Sequence, residues 1–179
     1  MRKVIQTVLV STDGVVGDPR LWALDYRDAD VEKDSVERLG DSDTMILGRG
    51  TYELFAATWP GQSSDFAGRM NSMRKYVFSS TLATANWDNS TILTGDATAG
   101  VARLKQQDGA DLLLYGHGLL AHTLWEHGLI DELRLSIHPV LAGRGQLLFW
   151  ESGKTPLKLD SVTTLGTGVV VLSYQPVKA

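Results

Sequence analysis

Apolar residues along this chain fall into two alternating patterns: short unbroken runs, and longer stretches in which they recur every third or fourth position. The runs predict strands at residues 4–10, 44–47, 75–78, 91–93 and 111–115. The recurring pattern predicts helices at 30–39 (Val31, Val36 and Leu39 inward), 51–57, 96–107 (Val101 and Leu104 inward) and 119–127. Gly40 and Gly128 are placed to end two of them. Asp13-Gly14 closes the first strand, and Trp59-Pro60-Gly61 stops the second helix. Residues 66–73 have a mixed pattern that reads as a short helix or a loop. Residues 132–138 alternate strictly, with Leu133, Leu135 and Ile137 on one side and Arg134, Ser136 and His138 on the other, as in a half-exposed or antiparallel strand. A last strand is expected at 169–174, with 157–162 pairing near it.

Strands alternating with helices and then a strand-rich tail predict an α/β fold in layers, its sheet mostly parallel with an antiparallel edge. With 179 residues and no repeat or long linker, one domain around a single core is expected. Ligands of such sheets bind beyond the carboxyl ends of the strands. Three of those ends carry unusual residues: Gly48-Arg49-Gly50-Thr51, Ser79-Ser80-Thr81 and Gly116-His117-Gly118. Their convergence points to a nucleotide site.

Composition narrows the partners. The net charge of -4 and the absence of any basic run argue against nucleic acid. Zero cysteines exclude disulfides, thiolate catalysis and cysteine-held metals. Gln6 and Thr7 interrupt the apolar N-terminus, which therefore reads as a buried first strand and not as a signal peptide. No apolar run is long enough to span a membrane, so a cytoplasmic location is expected.

Each candidate segment has a plain reading beside a chemical one. Glycines after a strand are often simple turns, yet Gly48 to Thr51 also joins helix-start amides to one permanent positive charge, a combination suited to phosphate. Gly116-His117-Gly118 with Leu119 and Leu120 is either a strand-to-helix turn or a backbone that approaches a diphosphate; Ala121 stands where a third glycine of a dinucleotide fingerprint would be. The hydroxyls of Ser79, Ser80 and Thr81 are either turn caps or contacts to an adenosine ribose and its 2′-phosphate. The spacing of His122 and His127 does not turn both onto one ligand, and no metal site is expected. Trp22, Trp59, Trp87, Trp125 and Trp150 read as core or interface residues, with Trp22 on the first loop the candidate for a substrate wall.

Five segments in order carry a family resemblance: residues 11–17 (Ser-Thr-Asp-Gly-Val-Val-Gly), 47–53, 78–82, 115–120 and 129–133. Together they resemble the dihydrofolate-reductase superfamily. They are most similar to its branch containing the C-terminal reductase domain of the riboflavin-biosynthesis deaminase/reductase, RibD. Asp131-Glu132-Leu133 followed by Pro139-Val140-Leu141-Ala142-Gly143 and Gly145 is typical of that branch, and the likeness runs from about Val4 to Tyr174.

The resemblance implies a three-layer α/β/α fold with a C-terminal antiparallel hairpin, an NADPH-dependent reductase, and a homodimer, with that hairpin the candidate interface. It matches Gly48, Arg49, Gly50 and Thr51 to the adenosine phosphates, and Ser79, Ser80 and Thr81 to the adenine ribose. Gly116, His117, Gly118, Leu119 and Leu120 match the diphosphate loop, while Leu9, Val16 and Gly17 border the nicotinamide. Asp13, Trp22 and Glu32 are the substrate-side candidates. Glu32 falls near the position of the superfamily's helix carboxylate, with Asp28, Asp30 and Asp34 close by as capping or solvated charges.

Two departures bear on the site: Gly50 stands where a second basic residue is common, and His117 replaces the second glycine of a Gly-Gly loop. The zinc-bearing deaminase half has no counterpart here. The expected activity is hydride transfer from NADPH, with NADH the lesser candidate, to a small heterocyclic or ribosylamino-pyrimidine substrate. The alternatives are the pyrimidine reductase of riboflavin synthesis itself, and a non-catalytic nucleotide- or pterin-binding homologue.

Overall fold

The computed structural model describes residues 1–40, 42–148 and 153–177. Eight strands form one sheet in this order: β4 (Ser90–Leu93), β3 (Arg74–Phe78), β2 (Thr44–Gly48), β5 (Leu112–Tyr115), β1 (Val4–Ser11), β6 (Glu132–His138), β8 (Val170–Pro176) and β7 (Leu157–Thr164). All pairings from β4 to β6 are parallel, and the β6–β8 and β8–β7 pairings are antiparallel. The expected mostly parallel sheet with an antiparallel C-terminal hairpin is therefore present.

Helices α1 (Ala29–Leu39), α2 (Arg49–Thr58) and α3 (Asp65–Ser72) cover one face, where Leu39, Tyr52 and Met70 meet Ile5, Met45, Leu47, Val77 and Leu113. Helices α4 (Ala97–Gln106) and α5 (Leu119–Glu126) cover the other, where Val101, Leu104, Ala121 and Leu124 meet Val4, Ile46, Leu112 and Leu114. Central strands with helices on both sides must be apolar all round. Accordingly Met45, Ile46, Leu47, Leu112, Leu113 and Leu114 are all buried.

Local chemistry accounts for most element ends. The carboxylate of Asp28 caps α1 by accepting from Val31 N, Ser64 Oγ caps α3 by accepting from Ala67 N, and Asp96 caps α4 by accepting from Thr98 N. Residues 66–73, open between helix and loop in the sequence, thus lie in a properly capped helix and its end. Helix α2 starts at Arg49, two residues before the expected start, because extended Gly48 serves as its N-cap and β2 runs into it without a loop. The polar side of β6 is not the solvated face that its alternation suggests: Arg134 donates to the carbonyl of Arg38 on α1 (2.6 Å), and His138 is buried. Trp150 lies outside the described residues.

One buried cation holds the start of β3. Lys75 is 0% exposed, and its Nζ donates to the carbonyls of Asn71 (2.9 Å), Met73 (2.8 Å) and Asp88 (3.1 Å), 4.2 Å from the centre of the Trp87 ring. Burial pushes the ammonium down to about 8, and the charge of Asp88 opposes that fall. It follows that the native state holds fewer protons than the unfolded chain between pH 8 and 10.5, so this group's contribution to stability rises across that window. Denaturant unfolding of wild type and Lys75→Met should show a stability gap of about 2–3 kcal/mol at pH 7, the order expected when buried carbonyls lose their donor. The wild type alone should gain stability between pH 8 and 10.5; parallel pH profiles would contradict this account.

Candidate functional site

The three strand ends singled out by the sequence belong to neighbouring strands, β3, β2 and β5, and leave the sheet along one edge. Gly48 lies in register with Phe78, so the segments after β2 and β3 run side by side. Arg49 Nη1 donates to Thr81 Oγ1 across that gap (2.8 Å), while its Nε pairs with Glu53 one turn on (2.7 Å). Both ends of the Arg49–Glu53 pair are about half exposed, so it stabilises little and can yield to a stronger anion. Ser79 Oγ accepts from the amides of Thr81 (3.2 Å) and Leu82 (3.0 Å), which is its capping role, and Ser80 is exposed.

The ends of β2 and β5 are joined by a close contact. Gly116 has φ +87°, and a Cβ there would meet Thr51 Oγ1, in the first turn of α2, at 3.0 Å. Helices α2 and α5 both begin after a glycine, Gly48 and Gly118, with no side-chain cap. Their first amides therefore have no side-chain acceptor and face a common edge beside one guanidinium, as an anionic ligand requires. Nothing lies within 4 Å of a Cβ built on Gly50 or Gly118, so a ligand has room at both. Leu119 is exposed and Leu120 half-buried, its Cβ lying 3.7 Å from a Cβ built on Gly48. His117 is buried, and burial, aided by His122, pushes its imidazole down to about 4, so it is neutral at physiological pH.

β1 lies next to β5. Leu9, partly exposed, falls on the α1–α3 face of β1. Val16 and Gly17 follow the strand and are tied by their amides to the carbonyl of Gln146 (2.8 and 3.3 Å).

The substrate-side candidates divide. Asp13 accepts from Ser11 Oγ (2.5 Å), Ala142 N (3.0 Å) and Gly143 N (2.7 Å), bonds that hold its carboxyl below the usual range; it latches the turn after β6. Trp22 is buried, donates to the carbonyl of Gly17 (3.0 Å) and sets its ring edge-on to His138. Asp28 caps α1, and Asp34 is bound by Arg38 (2.6 Å). Glu32 is half-buried on the helix stripe that leads to buried Leu39, and its carboxylate has no hydrogen bond or ion pair to any described residue. Of the four helix carboxylates, Asp30 is likewise without such a bond but is exposed, so Glu32 is the one that is both half-buried and uncommitted, a difference the sequence could not show.

Two further residues belong to this region. Tyr115, paired with Thr7 at the end of β5, meets Phe55 edge-on (ring centres 5.4 Å), and burial pushes its phenol well up. Gln6, fully buried on β1, donates to the carbonyl of Gly116 (2.9 Å). A tyrosine ending an apolar run and a glutamine inside one were the only hints, and neither has a motif around it. A separate groove of about 510 Å³ lies by the amino ends of the strands, and both its arginines are already paired, Arg38 with Asp34 and Arg134 with Glu132. Among the described residues there is no cluster of three or more His, Asp or Glu able to hold a metal, and no helix is long and apolar enough to cross a membrane.

Comparison with known proteins gives the family and the fold. Residues 2–171 match the family profile of the RibD C-terminal domain. The chain is 32% identical to the uncharacterized protein YyaP of Bacillus subtilis (strain 168), over 97% of this chain and 94% of YyaP. Among solved structures, a Shewanella sp. PV-4 protein provisionally named for riboflavin biosynthesis superposes with a TM-score of 0.78 at 19% identity, covering 98% of this chain and 99% of that one. The diaminohydroxyphosphoribosylaminopyrimidine deaminase/5-amino-6-(5-phosphoribosylamino)uracil reductase of Thermotoga maritima superposes with a TM-score of 0.66 at 14% identity, covering 98% of this chain and 57% of that one. At these identities the superpositions establish a shared fold.

The junction of β5 and α2 carries an expectation that needs no ligand. Gly116→Ala forces a Cβ into left-handed backbone against Thr51, and should cost about 1–2 kcal/mol in denaturant unfolding. The double variant with Thr51→Ser should keep the backbone part of that loss and recover little, because the methyl lies further off, at 4.0 Å, than the oxygen.

Proposed function

Because the chain belongs to the RibD C-terminal domain family, we propose that it is a reductase which binds NADPH along the β3–β2–β5–β1 edge and reduces a small heterocycle, a ribosylamino-pyrimidine being the leading class. The observation that carries this reading is the bond from Arg49 to Thr81, which gathers a guanidinium and a hydroxyl between two strand ends. Arg49, Ser80 and Thr81 would hold the adenosine 2′-phosphate, a doubly charged group that can draw Arg49 away from Glu53. The amides of Gly50 and Thr51, and those of Gly118 and Leu119, would hold the phosphates. Leu9, Val16 and Gly17 would border the nicotinamide. The bound cofactor supplies the hydride.

This chain's own part is to align and to shield. Leu9, Tyr115 and Phe55 offer an apolar floor and wall that exclude water from the reacting faces. Glu32, uncommitted and half-buried at the start of α1, is the carboxyl available to move a proton to the substrate. Trp22 and Asp13 act one step back, fixing the loop after β1 through Gly17 and through Ala142 and Gly143.

We also propose a homodimer. Leu159 pairs with Tyr174 and Val162 with Leu172, and a register shift between Leu159 and Ser161 keeps both apolar residues on the face shared with Leu133 and Leu135. Leu157 (36% exposed), Leu159 (48%) and Val162 (53%) stand there on an edge strand, a surface suited to a second copy of itself.

Fluorescence titration should show saturable NADPH binding by the wild type. Arg49→Ala should weaken NADPH by about ten- to a hundredfold, the value of a charge-assisted phosphate contact, and NADH by much less. Absence of NADPH binding would refute the cofactor, and an equal loss for both cofactors would refute Arg49 as the 2′-phosphate grip. Light scattering should give twice the monomer mass for the wild type and the monomer mass for Val162→Asp; a monomeric wild type would remove the dimer.

A further inference from the structure

His117 stands where the related loops commonly have glycine, and its buried side chain meets the side-chain amide of Gln6. Gln6 is 0% exposed on the face of β1 that packs under α5. Its Oε1 accepts from Trp125 Nε1 (2.6 Å). An indole N–H can only donate, so this bond fixes which end of the amide faces which way. Nε2 must then face the loop, where it donates to the carbonyl of Gly116 (2.9 Å) and meets His117 Nδ1 (3.3 Å). Turning the amide over would set two oxygens against each other at Gly116 and a second donor against the indole. With Nε2 a donor, His117 Nδ1 accepts, and the ring proton sits on its Nε2.

The connection continues on the other side of the loop. The carbonyl of His117 accepts from Gln146 Nε2 (3.3 Å), and the carbonyl of Gln146 in turn takes the amides of Val16 and Gly17. Gly17 is held so closely that a Cβ there would meet Gln146 N at 3.0 Å. Helix α5, strand β1, the loop after β5 and the loop after β1 are thereby joined through one amide, one imidazole and one exposed glutamine.

We propose that Gln6 is a positioning residue that sets the tautomer of His117 and the shape of its loop, and that His117 couples this loop through Gln146 to the Val16–Gly17 segment, so that both ends of a dinucleotide are gripped by one hydrogen-bonded unit. This rests on the NADPH reading above. Burial of His117 keeps the ring neutral at working pH, which the accepting role of Nδ1 needs. The replacement of glycine is on this view compensated: the loop gives up backbone freedom and is held from beneath by its own side chain.

The test has one arm without ligand and one with. In the ligand-free protein, the His117 ring proton followed by NMR should titrate near pH 4 in the wild type. In Gln6→Glu the new buried carboxylate, with His122 on α5 the neighbouring titratable group, should move the His117 midpoint above about 6. An unchanged His117 midpoint would overturn the role of Gln6. In the second arm, NADPH and adenosine 2′,5′-bisphosphate, which lacks both the diphosphate and the nicotinamide, are titrated calorimetrically into wild type, Gln6→Met and Gln146→Ala. Both variants should bind NADPH about tenfold more weakly, the value of one hydrogen bond of moderate strength, and the bisphosphate within about twofold of wild type. Gln146 is exposed, so its substitution reports on the coupling even if Gln6→Met fails to fold. Equal losses for both ligands, or none for NADPH, would overturn the coupling. A wild type that binds neither ligand would overturn the cofactor reading and the coupling with it, leaving the Gln6–His117 pairing to be decided by the titration.

Discussion

The parallel pairing of β5 with both β1 and β2 is the interaction on which the rest of the molecule depends. A four-residue strand, Leu112–Tyr115, is inserted between two strands that precede it by many residues, and Leu112, Leu113 and Leu114 are buried on both faces in consequence. Without that insertion β1 and β2 have no contact in the sheet, and the segments after them are not neighbours. With it, the ends of four strands stand in a row. Such long-range parallel pairing forms slowly, because loop closure precedes any stabilising contact. The ends of β5 are accordingly well secured: Lys3 N bonds Asp111 at its start, Gln6 bonds Gly116 at its finish, and Arg2 bridges Asp43 and Ala110 beside it.

The molecule also separates rigidity from chemistry along the strand axis. At the amino ends the charges are paired within the protein, Arg2 with Asp43, Lys105 with Asp131 and Arg134 with Glu132. At the carboxyl ends the groups are less committed: helix starts without side-chain caps, an exposed guanidinium shared between a hydroxyl and a carboxylate, and a half-buried glutamate. A site for a charged dinucleotide needs groups that can change partners at little cost, and a sheet of this kind needs an opposite end that cannot.

Much of the fold was legible in the sequence because period and punctuation are local properties. The strands, the helices and the three unusual strand ends all follow from residues within a few positions of one another. Strand order does not: nothing near residues 111–115 says that they lie between β1 and β2. Three local readings needed the tertiary partner. The polar alternation of β6 suggests solvent until α1 and the loop carrying Trp22 are laid over it. Asp13 suggests a turn or a ligand contact until residues 142 and 143 arrive to take both its oxygens. Asp28, Asp30, Glu32 and Asp34 are equivalent in sequence and are separated only by what each touches and how far each is buried. Gln6 interrupts an apolar run in the sequence, and the fold places a donor and two acceptors around it.

Lys75 carries a wider implication. Three main-chain oxygens and an indole face converge on its ammonium at the point where α3 gives way to β3. That is the kind of nest in which other proteins seat a sodium or potassium ion, which must be drawn from solution and can be lost to it. Here the ion is tethered to the polypeptide by its own methylene chain, so this corner folds without recruiting anything from the medium and is indifferent to which monovalent salt surrounds it.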